Sequence, residues 1–306
     1  MNNMKYRIGV DIGGTSVKLG AVDAEYNVVE KLRFPTGRDC TSEQIINGII
    51  ENCKILIEKY PIEAIGIGSA GRVDPVNGKV LVAGNLPFVD EPVTLKVGKA
   101  LSLPCYIDND GNCAIIGEKT AGACKGCNDV LIITIGTGIG GAILINDRVV
   151  RGHNNRAGEL GHFVIDMGGL ECECGLHGCF EQYASATSLI EHTAEAAEKH
   201  PESIIAKESA SGIDGSTAFR SAKLGCPVAK QLLDEYGKWL AVGINSLVNI
   251  FQPEMIVLSG GIANEGENLL SLIRPYLRPE ANVTVTKLKG NGGIIGASLL
   301  GTPHGA

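Results

Sequence analysis

The chain has 306 residues, of which 44% are hydrophobic and 20% charged, and its 34 acidic and 27 basic residues give a net charge of −7. This composition is typical of a globular protein and excludes a disordered or collagen-like chain. The length predicts two domains, because a single core stops growing at about 250–300 residues. The acidity and the lack of a basic run argue against nucleic-acid and membrane-surface partners. No apolar stretch approaches the roughly 20 residues of a membrane span.

The ten cysteines are interpreted as free thiols of a reducing compartment rather than as a disulfide framework. The first residues are too few and too polar for a secretion signal, so we expect a cytoplasmic, reducing environment in which disulfides are rare. Most of the cysteines are scattered singly and are interpreted as small buried hydrophobic residues. Cys124 and Cys127 form an isolated CxxC pair, which leaves a redox or partial metal site open as an alternative.

Apolar runs alternate with amphipathic stretches through the first half, which is typical of an α/β protein. Strands are predicted over 6–10 and 17–22, and the glycine turn that joins them makes a hairpin rather than a strand-to-helix turn. An apolar stripe predicts a helix over 42–59, with Ser42 near its cap. Further strands are predicted over 64–68 and 104–107, followed by a helix over 111–121.

The second half repeats this layout. A strand over 130–135, a glycine-rich turn over 136–141 and a strand over 142–145 match the first hairpin. Two such hairpins suggest a duplicated architecture with a cleft between the halves. A long helix is predicted over 228–250, a buried strand over 255–258 and a helix over 267–276, while 210–216 is the most loop-like segment.

The glycine turns carry the first chemical signal. Gly136, Gly138 and Gly141 satisfy GxGxxG, but a strand follows where the dinucleotide fingerprint requires a helix. The two turns are instead interpreted as hairpins whose backbone N–H groups, with the hydroxyls of Thr15 and Thr137, hold phosphate oxygens. The alternative of a ligand-free β-turn is disfavoured because the layout occurs twice.

A second signal is the sequence Asp-Asn-Asp at 108–110, which closes a predicted strand. Ligands of α/β sheets bind beyond such strand ends. A carboxylate there can accept a proton from a hydroxyl nucleophile, and the neighbouring amide can orient that hydroxyl. Spacing alone leaves open the alternative of an Asx turn that caps the helix beginning at Gly111.

The third signal is a cluster of four metal-ligating residues within 18 positions. His162, Cys172, Cys174 and Cys179 supply the ligands of a closed tetrahedral zinc site, so the metal is expected to be structural rather than catalytic. Unligated cysteines on a loop are the alternative. Glu159 precedes the cluster and Glu181 follows it, so zinc would hold two carboxylates in place; solvated surface charges are the alternative for these two.

The combination of motifs resembles the ROK family of sugar kinases, especially the bacterial glucokinases, over about 8–299. The glycine motifs are shared with actin-like ATPases in general, whereas the Glu-x-Gly-His sequence with the Cys/His set is specific to ROK proteins. The motifs that carry the resemblance are Asp11-Ile12-Gly13-Gly14-Thr15, Asn109-Asp110, Gly136 to Gly141, Glu159-x-Gly161-His162 and Cys172-x-Cys174-Gly175-x-x-Gly178-Cys179-x-Glu181.

The resemblance implies an actin-like ATPase fold with two α/β domains flanking a deep cleft. Residues 1–110 with about 295–306 would form the smaller domain, and 111–294 the larger. Asp110 would be the catalytic base, and one ring nitrogen of His162 would bind zinc while the other bound the sugar. The residues expected to contact the sugar are Asn85, Asn109, Glu159, His162 and Glu181. Those expected to contact ATP are Asp11, Gly13, Gly14, Thr15, Gly136, Thr137 and Gly138, with Gly260 and Gly261 near the adenosine.

The activity implied is transfer of the γ-phosphoryl group of Mg-ATP to the 6-OH of glucose, with Asp11 an outer-shell partner of Mg²⁺. A kinase of N-acetylmannosamine or another hexose is the alternative within the family, and family members are commonly homodimers or homotetramers. A sugar-responsive repressor is disfavoured because the phosphate motif begins at Asp11, which leaves no room before it for a helix-turn-helix. A nucleotide-driven switch or filament is disfavoured because it has no use for the zinc cluster.

Overall fold

The computed structural model of the chain describes residues 5–37 and 39–305. Most of the described chain lies in short strands and helices that alternate along the sequence. The strands are β1 (Tyr6–Ile12), β2 (Ser16–Val22), β3 (Val28–Pro35), β4 (Ile62–Ser69), β5 (Arg72–Asp74), β6 (Lys79–Val82), β7 (Val89–Glu91), β8 (Cys105–Asn109), β9 (Val130–Ile135), β10 (Ile139–Ile145), β11 (Arg148–Val149), β12 (Met255–Ser259) and β13 (Val283–Val285).

The helices vary from one turn to seven turns in length. They are α1 (Ser42–Lys59), α2 (Val93–Leu101), α3 (Asp110–Ala121), α4 (Glu181–Ala184), α5 (Ala186–Lys199), α6 (Ile204–Ser209), α7 (Thr217–Lys223), α8 (Pro227–Phe251), α9 (Glu267–Ile273) and α10 (Gly292–Ser298). None of these helices, within the part of the chain that is described, is both long and apolar enough to cross a membrane.

The chain forms two compact units. The first comprises the described residues up to Asn128, together with Ala142–Ala157 and the described residues from Lys287 onward. The second comprises Asp129–Gly141 and Gly158–Thr286. The domain limits expected from the sequence, 1–110 with about 295–306 and 111–294, stay a prediction.

The first unit is built on a five-stranded sheet in the order β3-β2-β1-β4-β8. β1 pairs antiparallel with β2 and parallel with β4, and β4 pairs parallel with β8. Glycines let α10 lie directly against this sheet, since a Cβ on Gly9 or Gly66 would overlap the main chain of α10. β5, β6 and β7 form a separate antiparallel sheet. The parallel strands therefore end at one edge, where Asp11 and Asn109 lie.

The second unit contains the parallel strands β9, β12 and β13, within a sheet ordered β11-β10-β9-β12-β13. β10 begins in this unit at Ile139, and its later residues belong to the first. The long helix α8 buries an apolar face that includes Leu233, Leu240 and Leu247. Residues between β11 and α4 form no helix or strand, and turns and isolated bridges shape them.

The strand–glycine turn–strand layout predicted for both hairpins is confirmed, and so is the helix over 42–59. Thr41, one residue before Ser42, is the cap of that helix, and its hydroxyl and the side chain of Gln44 form a capping box. The helix predicted over 267–276 is too long, because α9 ends at Ile273 and a 3₁₀ turn follows. Pro275 explains this end, since proline lacks the N–H that an α-helix needs and disfavours helical geometry before it.

Candidate active site

The first glycine turn joins β1 to β2 and is fixed by hydrogen bonds at both ends. The Gly13 N–H donates to the Ser16 carbonyl oxygen at 3.1 Å. Thr36 holds the turn from outside, since its hydroxyl donates to the Gly13 carbonyl oxygen at 2.9 Å and its N–H donates to that of Thr15 at 3.0 Å. The main chain of this predicted phosphate-binding turn is thus held in one conformation.

Two side chains predicted to belong to the site lie beside this turn. Asp11 is the last residue but one of β1. Its side chain is 20% exposed, and the Lys18 ammonium lies 3.8 Å from its carboxylate. Burial raises the pKa of the Asp11 carboxyl, and the charge of Lys18 opposes that rise. Asn85 lies close to Gly14, because a Cβ on that glycine would be 3.2 Å from the Asn85 Cβ. The structure therefore brings Asp11, Asn85 and the glycine turn together.

Asn109 is the N-cap of α3, so the Asx alternative described above is correct for this residue. Its side-chain oxygen accepts hydrogen bonds from the N–H groups of Gly111 at 2.9 Å and Asn112 at 3.3 Å. Its amide nitrogen donates to the Gly71 carbonyl oxygen at 3.1 Å. The predicted role in sugar binding would be additional to this structural one.

Asp110, the predicted base, is the first residue of α3 and lies directly after β8. Its carboxylate accepts a hydrogen bond from the Gly111 N–H at 2.9 Å. The N-terminus of a helix favours a negative charge, since the first N–H groups of a helix lack intrahelical partners. The strand end and the helix start thus fix the main chain that carries this carboxylate.

An ion pair close to this residue in the chain was not predicted from the sequence. Asp108 is almost fully buried, and one of its oxygens accepts from both Nε and Nη2 of Arg151, at 2.8 Å and 2.6 Å. The acidic residue was visible in the Asp-Asn-Asp motif, but no spacing pattern relates it to an arginine 43 residues later.

The thiol of Cys113 is buried among several charged side chains of the first unit. Burial raises the pKa of its thiol well above the ordinary value, and the charges of Asp108, Asp110 and Asp11 raise it further. Arg151 acts in the opposite direction. Three carboxylates and one guanidinium therefore lie near one buried thiol.

The second glycine turn joins β9 to β10 in the second unit. The Gly136 N–H donates to the Gly138 carbonyl oxygen at 3.0 Å, and the Ala186 N–H donates to that of Gly136 at 2.9 Å. Glu181 supports the turn, because its carboxylate accepts from the Ile139 N–H at 3.3 Å. Thr137, at the tip, is exposed. A side chain outside the turn thus helps to fix its shape.

The four predicted metal ligands lie together. The ligand atoms of His162, Cys172, Cys174 and Cys179 all lie within 4.8 Å of one another. Cys172 Sγ is 3.6 Å from His162 Nδ1, and Cys174 Sγ is 3.5 Å from Cys179 Sγ. Zn–S bonds of about 2.3 Å place tetrahedral ligands roughly 3.8 Å apart, so these spacings suit a four-coordinate zinc ion.

The loop that carries these ligands is closed by main-chain contacts. The Phe180 N–H donates to the Phe163 carbonyl oxygen, and the Glu181 N–H donates to that of Gly161, both at 3.0 Å. Gly178 has φ +76°, and a Cβ there would overlap the Asp166 carbonyl oxygen. Glycine is therefore required where the chain turns back beside the cluster.

The pKa values of the three thiols in the cluster are shifted in different directions. Burial raises the pKa of Cys179 to about 12, and hydrogen bonds with Cys174 and Cys172 add to the rise. Burial also raises the pKa of Cys172, whereas the Leu176 N–H lowers that of Cys174. Thiolates, not thiols, ligate metals, so a cation that bound here would displace protons from the two buried sulfurs.

Glu181 lies between the cluster and the second glycine turn, as the first residue of α4. One of its oxygens is 3.4 Å from both His162 Nδ1 and Cys172 Sγ, and the other reaches the turn at Ile139. Glu159 is exposed, and its carbonyl oxygen accepts from the His162 N–H at 3.1 Å. Glu181 thus contacts the cluster through its carboxylate, whereas Glu159 contacts it through its main chain.

The glycine pair predicted to lie near the adenosine follows β12. Gly260 has φ +89°, and a Cβ there would overlap the carbonyl oxygen of Ile135, the last residue of β9. Side chains of the same two strands meet nearby, with Thr134 Oγ1 2.9 Å from Ser259 Oγ. Glycine thus lets β12 end close to the second glycine turn, with Gly261 next along the chain.

Comparison with known proteins decides the family. The model of the ROK family matches residues 7–302. The chain belongs to the ROK family. The expected fold class, α/β of the actin-like ATPase type, is confirmed with it, because the similar structures include a ROK glucokinase and a ROK hexokinase, which have that fold.

Relatives of this ROK protein include sugar kinases over nearly the whole chain. The glucokinase of Streptomyces coelicolor is 35% identical, over 97% of this chain and 98% of that one. The structure of a ROK family glucokinase from Streptomyces griseus in complex with glucose and AMPPNP is 36% identical with a TM-score of 0.84, over 96% and 98% of the two chains. The ROK hexokinase of Thermus thermophilus is 30% identical with a TM-score of 0.79, over 96% and 97%.

Proposed function

We propose that this protein is an ATP-dependent hexose kinase that phosphorylates the 6-OH of glucose. The observation that carries the proposal is the position of Asp110, a carboxylate at the junction of β8 and the capped start of α3. The sequence similarity to a glucokinase that binds glucose and an ATP analogue supports it. Such chemistry depends on positioning and charge stabilisation more than on covalent catalysis.

The nucleotide would bind at the two glycine turns. Backbone N–H groups at Gly13, Gly14 and Thr15, and at Gly136, Thr137 and Gly138, would donate to its phosphate oxygens, with Gly260 and Gly261 near the adenosine. Mg²⁺ bound with ATP would neutralise phosphate charge. Asp11 suits an outer-shell contact with that ion, because its carboxylate adjoins the first turn and is only partly exposed.

The sugar hydroxyls would be bound by Asn85, Asn109, Glu159, His162 and Glu181. Each such group discriminates between sugars, because a substrate that lacks its partner leaves a polar group unpaired. With Glu159, His162 and Glu181 bound to hydroxyls near carbons 1 to 3, the 6-OH is the hydroxyl left for Asp110. This carboxylate would take the proton of the 6-OH as its oxygen bonds to phosphorus.

A structural zinc ion held by His162, Cys172, Cys174 and Cys179 is part of the proposal. The donor set fits, since four ligand atoms lie within 4.8 Å of one another and three of them are sulfurs. The zinc would supply rigidity to the loop. Through that loop, this chain's own residues Glu159, His162 and Glu181 would be held in position to bind sugar.

A substrate panel tests the proposal. Purified protein with Mg-ATP would be assayed with glucose, mannose, fructose, allose, N-acetylglucosamine and N-acetylmannosamine, and the phosphorylated position would be read by NMR. We expect the highest kcat/KM with glucose and a 6-phosphate product. A preference for N-acetylmannosamine would replace the substrate, and a 1-phosphate product would contradict the role given to Asp110.

The quaternary structure rests on the family resemblance, and the location on the interpretation of the ten cysteines as residues of a reducing environment. We propose a homodimer or homotetramer that acts in the cytoplasm. Sedimentation velocity at the working enzyme concentration would give the oligomeric state, and a strict monomer there would contradict this part of the proposal.

A further inference from the structure

The carboxylate of Asp108 collects four hydrogen bonds from three different segments. One oxygen accepts from the Asn109 N–H at 2.7 Å and from Asn112 Nδ2 at 2.8 Å. The other accepts from Nε and Nη2 of Arg151 at 2.8 Å and 2.6 Å. Asp110 lies in the chain between Asn109 and Asn112, the two residues that donate to this first oxygen. Its main chain is therefore fixed from the side that faces Asp108.

The pair is buried, which makes it sensitive to the loss of one partner. The side chain of Asp108 is 3% exposed and that of Arg151 is 25% exposed. Removing one member of a buried pair leaves a charge without compensation, which costs more than the pair itself contributes. Arg151 thus supplies two of the four hydrogen bonds that hold the Asp108 carboxylate beside the segment that carries Asp110.

We infer that Arg151 is a positioning residue for phosphoryl transfer, and that it acts through Asp108 to hold Asp110 in the orientation that accepts the proton. The inference rests on the proposed function. Arg151 would touch neither the sugar nor ATP in this role, so it should affect the chemical step more than binding.

The geometry requires an arginine rather than any cation. Both N–H groups that reach Asp108 belong to one planar guanidinium, and they approach one oxygen with two fixed directions. A lysine ammonium is a point charge on a flexible stem and does not reproduce this fork. Arg151→Lys should therefore keep the charge and lose part of the positioning.

An open cleft of about 500 Å³ gives experimental access to the pair. It is lined by Asp108 and Arg151, by neighbouring residues of β8 and by residues 300–303 of the C-terminal segment. All of these belong to the first unit. A small cation can therefore enter the space that the Arg151 side chain occupies once that side chain has been shortened.

Chemical rescue of Arg151→Ala is the decisive experiment. We expect kcat for glucose to fall by about 10- to 100-fold, because a small displacement of a catalytic group has effects of this size. The KM values for glucose and ATP should change by less than about threefold. Methylguanidinium, at concentrations that leave the wild-type Tm unchanged, should restore kcat saturably, whereas methylammonium should restore less.

Matched variants separate positioning from folding. Arg148→Ala removes an exposed arginine three residues earlier, on β11, and should keep wild-type kcat with no response to methylguanidinium. Asp110→Asn should not be rescued, because it lacks the base itself. If Arg151→Ala does not fold, Arg151→Lys keeps the buried charge, and its kcat should still fall by at least about fivefold.

The outcomes are distinguishable from a failure of the proposed function. A wild-type protein without hexose kinase activity would reject that function. An active wild-type enzyme whose Arg151→Ala and Arg151→Lys variants keep full kcat would overturn the positioning role. So would a fall in kcat that methylammonium and methylguanidinium restore equally, since only the charge would then matter.

Discussion

Two regions of this ROK protein carry carboxylates with proposed roles, and they are held in place by different means. Asp110 lies at a strand–helix junction, where Asn109 caps the helix and Asp108 accepts four hydrogen bonds. Glu159 and Glu181 flank a loop without helix or strand, in which four side chains converge with metal-ligand spacing. The first region is organised by protein groups alone, whereas the second has the ligands to be organised by an ion.

The difference follows from the local structure. A long loop without regular structure of its own is uncommon inside a compact domain and needs another source of order. Glycine turns and a few main-chain hydrogen bonds give the loop between β11 and α4 its shape. Burial raises the pKa of two of its thiols, Cys172 and Cys179. We therefore expect the two regions to respond differently to metal removal and to single substitutions.

The largest effect should come from the junction. Asp110→Asn keeps the shape of the side chain and its position at the start of α3, and it removes the base. We expect kcat to fall by about 10²–10⁴ with sugar binding largely retained. Steady-state kinetics with glucose, together with isothermal titration of glucose, would check this. Turnover near the wild-type rate would remove Asp110 from the mechanism.

The next largest effect should come from the loop that carries the cluster, where loss of zinc should lower stability and weaken glucose binding together. Cys174→Ala removes one of the four ligands, so zinc content should fall from about one ion per chain and Tm should fall with it. The KM for glucose should rise by about tenfold, because the same loop carries Glu159 and Glu181. Metal analysis, calorimetry and kinetics on the same preparation give the three readings.

Cys127→Ala is the control for that variant, since this cysteine belongs to the first unit and is not one of the four clustered ligands. It should keep zinc, Tm and KM near wild-type values. Purified wild-type protein without zinc that remains fully active in chelator would contradict the metal assignment. The loop would then be ordered by protein contacts, and the contrast between the two regions would disappear.

The sequence predicted local elements more completely than the contacts between them. The helix over 42–59 was predicted because apolar residues recur at helical spacing, and Ile45, Ile49, Cys53 and Leu56 are indeed buried on one face. The strands of the small sheet β5-β6-β7 have three or four residues, too few for a period to be recognised. Helices α5 to α7 also went unpredicted.

The same limit applies to the candidate site. The Cys/His cluster was visible because all four ligands lie within one short segment, and the structure brings them together. The role of Arg151 could not be predicted from the sequence, because its partner Asp108 lies on a different element 43 residues earlier. Pairings of this kind depend on how strands and loops pack, and no periodicity in the sequence encodes them.

A smaller effect tests whether the loop selects the sugar. Glu181→Gln keeps the length of the side chain and removes its charge. Discrimination between glucose and analogues altered at carbons 1 to 3 should weaken by about 1–3 kcal/mol, the contribution of a hydrogen bond to a charged group. Discrimination at carbon 6 should be unchanged. The ratios of kcat/KM across such analogues are the measurement, and an unchanged ranking of sugars would remove Glu181 from recognition.

The smallest effect on stability, and the sharpest test of the junction, comes from Asn109. Its oxygen caps α3 and its amide nitrogen donates to Gly71, so sugar binding must be separated from capping. Serine caps about as well as asparagine, whereas alanine costs roughly 0.5–2 kcal/mol. We expect Asn109→Ser to keep Tm within about 2 °C while Asn109→Ala lowers it by several degrees. If the amide also binds sugar, both variants should raise the KM for glucose by similar factors, since both lack it. A serine variant with wild-type KM would show that Asn109 only caps the helix, and Asp110 would then be the junction residue left to contact the sugar.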